Sequence, residues 1–169
     1  MFMKRLLFSI SFAVLASAVL AGPLQKQFEA QMAKIDKCLL NKDIAGFEKL
    51  VKPMVTKDYK HIEMGRTLNY NQMIAEMKQG LAMMGKVTVA RSKFITFKQT
   101  GNTVVAKQSH RMEGTMTGQD KKTHTMAFVG TSQNTYRKEG GVWKMAIMDW
   151  KKQDMLMDGK PFDPSKMGG

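Results

Sequence analysis

The stretch Tyr136-Arg137-Lys138-Glu139-Gly140-Gly141-Val142-Trp143-Lys144-Met145 decides how the chain is read. Two successive glycines supply the positive-φ positions that a tight hairpin turn needs, so residues on either side are predicted to pair as antiparallel strands. Moving back along the chain, apolar and polar residues continue to alternate with a period of two. Strands are predicted near 87–98, 103–116, 122–137 and 142–155, with turns at Gly101-Asn102, Gly118-Gln119-Asp120 and Glu139-Gly140-Gly141.

Before Lys86 the period is different. Phe28, Met32, Ile35 and Leu39 recur at spacings of four, three and four, which places them on one face of a helix. Asp43 reads as the N-cap of a second, short helix presenting Ile44, Phe47, Leu50 and Val51, stopped by Pro53. Asn69-x-x-Gln72 resembles a capping box, and opens a third helix carrying Tyr70, Met73, Ile74, Met77, Leu81 and Met84 to Gly85. Three helices followed by a four-stranded meander is an α+β pattern: helices packed on a strongly curved, mainly antiparallel sheet.

The order of elements resembles the nuclear transport factor 2-like superfamily, the cone-shaped fold shared by ketosteroid isomerase, scytalone dehydratase and SnoaL-like polyketide cyclases. Three features carry the resemblance: the short helix Asp43-Ile44-Ala45-Gly46-Phe47-Glu48-Lys49-Leu50, the Gly65-Arg66-Thr67-Leu68-Asn69 lead into the third helix, and the final hairpin. It implies a cavity between helices and sheet. The isomerase pattern within the family needs a carboxylate base opposite a tyrosine. Asp58 and Glu63 lie in the right stretch for that base, but no tyrosine in the first helix answers them. The fold hosts enzymes and non-catalytic binders alike.

Strand parity gives the cavity its residues. Val104, Ala106, Gln108, His110 and Met112 form the more apolar face of their strand and are turned inward. Pairing across the turns adds Phe97, Ile95, Lys93, Arg91 and Val89. It then adds His124, Met126, Phe128, Ser132, Asn134 and Tyr136, and finally Trp143, Met145, Ile147 and Asp149. On this reading Phe97, Val104, Tyr136, Trp143 and Met145 form an apolar floor. Arg91, Gln108, His110, Asn134, Tyr136 and Asp149 are the candidate ligand-binding groups. His110 and Asp149 are the candidate catalytic pair, Asp149 orienting the imidazole and Arg91 holding an oxyanion. A slip of one residue inverts any of these assignments.

Residues 1–21 read as a cleavable secretory signal: Lys4 and Arg5, an uncharged run from Leu6 to Leu20, then Val19 and Ala21 as small residues before a cut at Gly22. Ala16-Ser17-Ala18 offers a second cut, at Val19. The run is shorter than the roughly twenty residues of a spanning helix, and no later segment is long and apolar enough, so a periplasmic or secreted protein of one domain (22–157) with a loose tail (158–169) is expected. The chain carries 27 basic and 14 acidic residues, and only two of these, both basic, lie in the signal, leaving a net charge of +11. Such a charge attracts anionic surfaces. Because the lysines are scattered in sequence, the first reading is a solvated basic surface without a specific nucleic-acid partner.

Cys38, the only cysteine, sits in the apolar stripe of the first helix and reads as a structural thiol. Fifteen methionines lie beyond the signal, mostly at core spacing. His110-x-Met112 and His124-x-Met126 together offer an imidazole–thioether set suited to Cu(I). No cofactor motif is present. The sequence therefore points to an exported small-molecule binder, with a homodimer through the outer sheet face as one arrangement. A lyase, isomerase or cyclase is the alternative, and a basic envelope-interaction protein or copper binder the third class.

Overall fold

The protein is described by a computed structural model covering residues 22–118 and 120–162. The expected signal, and residues 163–169 of the expected tail, lie outside the described residues. In chain order the elements are α1 (Pro23–Leu40), α2 (Ile44–Val51), a 3-10 turn (Lys52–Met54), β1 (Val55–Glu63), β2 (Arg66–Leu68), α3 (Tyr70–Met83), β3 (Met84–Thr100), β4 (Thr103–Thr117), β5 (Thr123–Glu139), β6 (Val142–Met157) and β7 (Lys160–Pro161). The strands form one sheet in the order β2-β1-β6-β5-β4-β3, with β7 paired to β6. The helices pack on its inner face.

The local signals hold where chemistry is local. Asp43 caps α2 by accepting from the Gly46 backbone N–H at 2.8 Å. Asn69 and Gln72 form both halves of the capping box of α3, at 3.0 and 2.9 Å. Gly140 and Gly141 both have positive φ (58° and 82°), as the tight turn requires. The third helix, however, ends at Met83 rather than Gly85. Met84 is already extended and paired with Met116, and Lys42 reaches over to the Met84 carbonyl, so sheet pairing sets the boundary.

The β1–β2 hairpin between α2 and α3 is absent from the sequence reading. β1 pairs parallel to β6 while every other pairing is antiparallel, so the sheet is mixed. Its sequence, Val55-Thr56-Lys57-Asp58-Tyr59-Lys60-His61-Ile62-Glu63, is too polar to read as an inner strand, yet Thr56, Tyr59 and His61 are buried. At the other end, Asp158 receives a hydrogen bond from the Thr125 N–H at 2.9 Å, and Phe162 N–H donates to Met155 at 2.8 Å. The first five residues expected in a loose tail are thus folded back on the sheet.

The floor is as the parity predicts. Phe28 from α1 sits on Val104, Ala106 and Tyr136, ringed by Leu24, Phe94, Phe97, Trp143 and Met145. Its ring meets Tyr136 edge-on at 4.7 Å and Phe97 at 5.5 Å. Trp143 is half-buried at the rim of this cluster. A second cluster of Phe47, Tyr59, Met73 and Ile74 seals the other side, with Cys38 packed against it.

Candidate functional site

Between α1, α3 and the inner sheet face lies a cavity of about 310 Å³. Its walls are mostly apolar, with Met32 and Ile35 from α1, Met73 and Met77 from α3, and Phe128 and Met148 from the sheet. Two groups of polar side chains interrupt them.

The first group centres on His110. The Asp36 carboxylate accepts two hydrogen bonds from Ser92, from its backbone N–H at 2.8 Å and its hydroxyl at 2.9 Å. Because the Ser92 proton goes to Asp36, its oxygen must accept at 3.2 Å from Nδ1–H of His110. Nε2 is then unprotonated and accepts from the Ser132 hydroxyl at 2.8 Å. The tautomer is thereby fixed by the carboxylate two bonds away. Burial pushes the His110 imidazole down to about 4, so it is neutral at neutral pH. Beside it, Gln108 donates to the Tyr136 hydroxyl at 3.2 Å and is itself held by the amide of wholly buried Asn134 at 2.6 Å. Burial pushes the Tyr136 phenol up to about 12, leaving a neutral hydroxyl.

The second group centres on His61 of β1. Its Nδ1 lies 3.3 Å from the Tyr59 hydroxyl, and its Nε2 lies 3.2 Å from the Trp150 indole N–H and 3.3 Å from Glu63. Burial raises the Glu63 carboxyl, but the neighbouring His61 ring and the Gln153 amide outweigh it and hold the group below the usual carboxylate range. Arg66 completes the pair at 2.8 Å. Trp150 stands between the two histidines, 4.7 Å from the His110 ring and 6.5 Å from that of His61. It fits because residue 130 is glycine: a Cβ there would fall 2.6 Å from the Lys152 carbonyl and 2.8 Å from the Trp150 ring.

Of the candidates read from sequence, Gln108, His110 and Tyr136 line the cavity, and Asn134 supports Gln108 from behind. Asp149 does not join them, and Arg91 lines only the cavity's edge. In β3 a bulge makes Ile95 an extra residue, so Phe94 pairs with Gln108 but Thr96 with Lys107. The face therefore switches: Ser92 and Phe94 point inward, while Arg91, Lys93 and Ile95 are exposed. Arg91 borders the cavity's opening along the free edge of β3, but its side chain belongs to the outer face opposite Arg111. A second bulge at Ala146 does the same to β6. Tyr136 pairs with Met145 but Thr135 with Ile147, which brings Met148 and Trp150 inward and sends Ile147 and Asp149 out. Asp149 pairs with exposed Lys151 and Gln133, on the face opposite His110. The expected Asp149–His110 catalytic pair, with Arg91 as oxyanion holder, does not exist in this fold.

The copper set separates as well. His110 lies opposite Gly130 and His124 opposite Met116, six residues along β4, or about 20 Å at the rise of an extended strand. Both nitrogens of His124 are taken, by Asp158 at 2.7 Å and Asp120 at 3.1 Å. Among the described residues no group of three or more His, Cys, Asp or Glu side chains is placed to hold a metal ion. Of the two carboxylates considered as bases, Asp58 is exposed and pairs with Arg137, and Glu63 is engaged by His61 and Arg66.

Sequence reading missed Asp36, Ser92, Tyr59, His61 and Trp150. Asp36 had a signal: it stands four residues after Met32 and one after Ile35, a carboxylate on the apolar face of α1. Ser92 and Trp150 had none, since each depends on a bulge.

Three helices against a curved mixed sheet, enclosing a cavity with buried polar groups, make this the cone fold of the nuclear transport factor 2-like proteins. Solved structures agree. The chain is similar to a proposed scytalone dehydratase from Novosphingobium aromaticivorans (TM-score 0.60, 10% identity, covering 79% of this chain and 86% of that one). It is similar to a proposed dehydratase of the nuclear transport factor 2-like family from Streptomyces avermitilis (0.52, 12%, 74% and 93%). It is also similar to a nuclear transport factor 2-like protein from Cytophaga hutchinsonii (0.50, 15%, 75% and 95%). At these identities the likeness is one of fold. No family model and no curated protein matches the sequence.

Proposed function

We propose that the chain is an exported protein that binds a small, mainly apolar molecule carrying at least one oxygen function. The observation that supports this is the cavity itself. Its volume is at the lower end of the range of about 300–1,000 Å³ typical of small-molecule sites, and it has apolar walls and a few fixed hydrogen-bonding groups. Both nitrogens of His110 are already occupied by protein hydroxyls, which suits recognition better than chemistry. Native mass spectrometry of protein purified from its own cells tests the reading, since a retained ligand adds mass. Titration with the fluorescent probe 1-anilinonaphthalene-8-sulfonate should show one site per chain that Ile35→Trp, by filling the cavity, abolishes. A chain that carries no added mass and binds no probe in the cavity would overturn it.

The Asp36–Ser92–His110 chain favours a second reading, as a lyase. With Nδ1 held protonated, Nε2 is the only basic position of the ring. A ligand that displaces the Ser132 hydroxyl could lose a proton from carbon to Nε2, and the adjacent hydroxyl would leave as water after taking that proton back. Scytalone, the compound in the name of the Novosphingobium protein, is the first substrate to assay. Turnover that falls at least tenfold in both His110→Gln and Asp36→Asn would establish it.

A further inference from the structure

We propose that the outer face of β3 and β4 docks on an anionic phospholipid surface. The cations scattered in sequence are brought together by the register. Arg91 lies directly opposite Arg111, Lys93 opposite Ser109, Lys107 opposite Thr96, and Lys98 opposite Val105. The result is five cations in one stripe, about 20 Å long at the rise of a strand. Arg111 is paired with Glu113, but among the described residues Arg91, Lys93, Lys98 and Lys107 have no carboxylate partner. Like charges directly across two strands weaken a sheet. The Arg91–Arg111 rung therefore gives the fold nothing that explains it, and an anionic partner would relieve it.

Two apolar side chains distinguish lipid from other polyanions. Ile95, the extra residue of the bulge, is 52% exposed, and Val105 is 39% exposed. They stand among Lys93, Lys98 and Lys107, an arrangement that places hydrocarbon at the acyl boundary and ammonium groups at the phosphates. The face carries no aromatic side chain on which bases could stack. A two-fold dimer through this stripe would set its cations against the same set of cations on the other copy, which disfavours self-association there.

Co-sedimentation with vesicles of phosphatidylglycerol and phosphatidylcholine tests the inference, with phosphatidylcholine vesicles as control. Binding should require the anionic lipid and weaken as salt rises. Lys93→Glu/Lys107→Glu should lower partition at least about tenfold, as the loss of two surface cations implies. Lys26→Glu/Lys34→Glu, which makes the same change in net charge on exposed positions of α1, should not. Ile95→Ser should weaken binding without changing its salt dependence. Unchanged thermal melting of all three variants confirms that the fold is kept. Equal losses in the two lysine pairs, no binding to anionic vesicles, or binding to duplex DNA in preference to vesicles would each overturn the proposal.

Discussion

His110 shows what a single buried side chain contributes and how it is tested. The unfolded chain titrates this imidazole near 6.5, while the folded site holds it at about 4. Between those values the unfolded state takes up a proton that the native state refuses. Stability from this group is therefore complete above about pH 6.5 and lost as pH falls, by up to about 3 kcal/mol near pH 4. Urea unfolding from pH 7 to 4 should show that decline, and His110→Gln should flatten it. His124 works in the opposite sense. The hydrogen bond of Asp158, then that of Asp120, raises its pKa, so its contribution is present in acid and fades at higher pH. Asp149 is the contrasting case. It is an outward carboxylate paired with Lys151, so Asp149→Asn should cost less than about 1 kcal/mol and leave probe binding unchanged. The residue types in the sequence were informative about burial: Gln108, His110, Asn134 and Tyr136 alternate cleanly, and all face in. What could not be read was which carboxylate answers His110. Asp36 reaches it through Ser92, and Ser92 faces inward only because of Ile95.

The same cause operates at the level of elements. Helix caps and hairpin turns were legible because each rests on side chains within a few residues of one another. Strand faces were legible only as far as the first bulge. β4 and β5 pair without a shift and kept every predicted face, whereas β3 and β6 each lost theirs beyond Ile95 and Ala146. A bulge is a property of two strands together, so one strand's alternation does not reveal it. β1 was missed for a related reason, because its buried Thr56, Tyr59 and His61 are separated by charged residues facing out. Packing between elements can be tested at two points. Phe28 fixes α1 to the sheet through Tyr136, Phe97, Phe94 and Trp143, so Phe28→Ala should cost about 3–5 kcal/mol in chemical denaturation, and half-buried Trp143→Ala less. Gly130→Ala would press a methyl group between the Lys152 carbonyl and the Trp150 ring. A loss of about 1–3 kcal/mol with a shift in tryptophan emission is expected.

For the whole molecule, the proposed export places a cut next to the start of α1. Gly22 is the N-cap of α1, and Pro23 stands at the first turn of that helix, where a missing N–H costs nothing. Leu24 and Phe28 are the first side chains to join the apolar floor. A cut after Ala21 would therefore release a chain whose first residue is already part of the fold, whereas the alternative cut at Val19 would leave three residues ahead of the cap. N-terminal sequencing of the exported protein should give Gly22, and an intact Met1 in a membrane fraction would contradict export. The fold makes a further demand on the same boundary. A chain beginning at Gly22 should melt within a degree or so of one beginning at Val19, because those residues precede the helix. A chain beginning at Glu29 lacks Leu24 and Phe28, and with them the contact that holds α1 over the cavity. It should lose stability comparable to Phe28→Ala, about 3–5 kcal/mol or more, together with binding of the fluorescent probe. If that shortened chain kept both, α1 would not be the wall of the site and the binding function proposed for the cavity would fail with it.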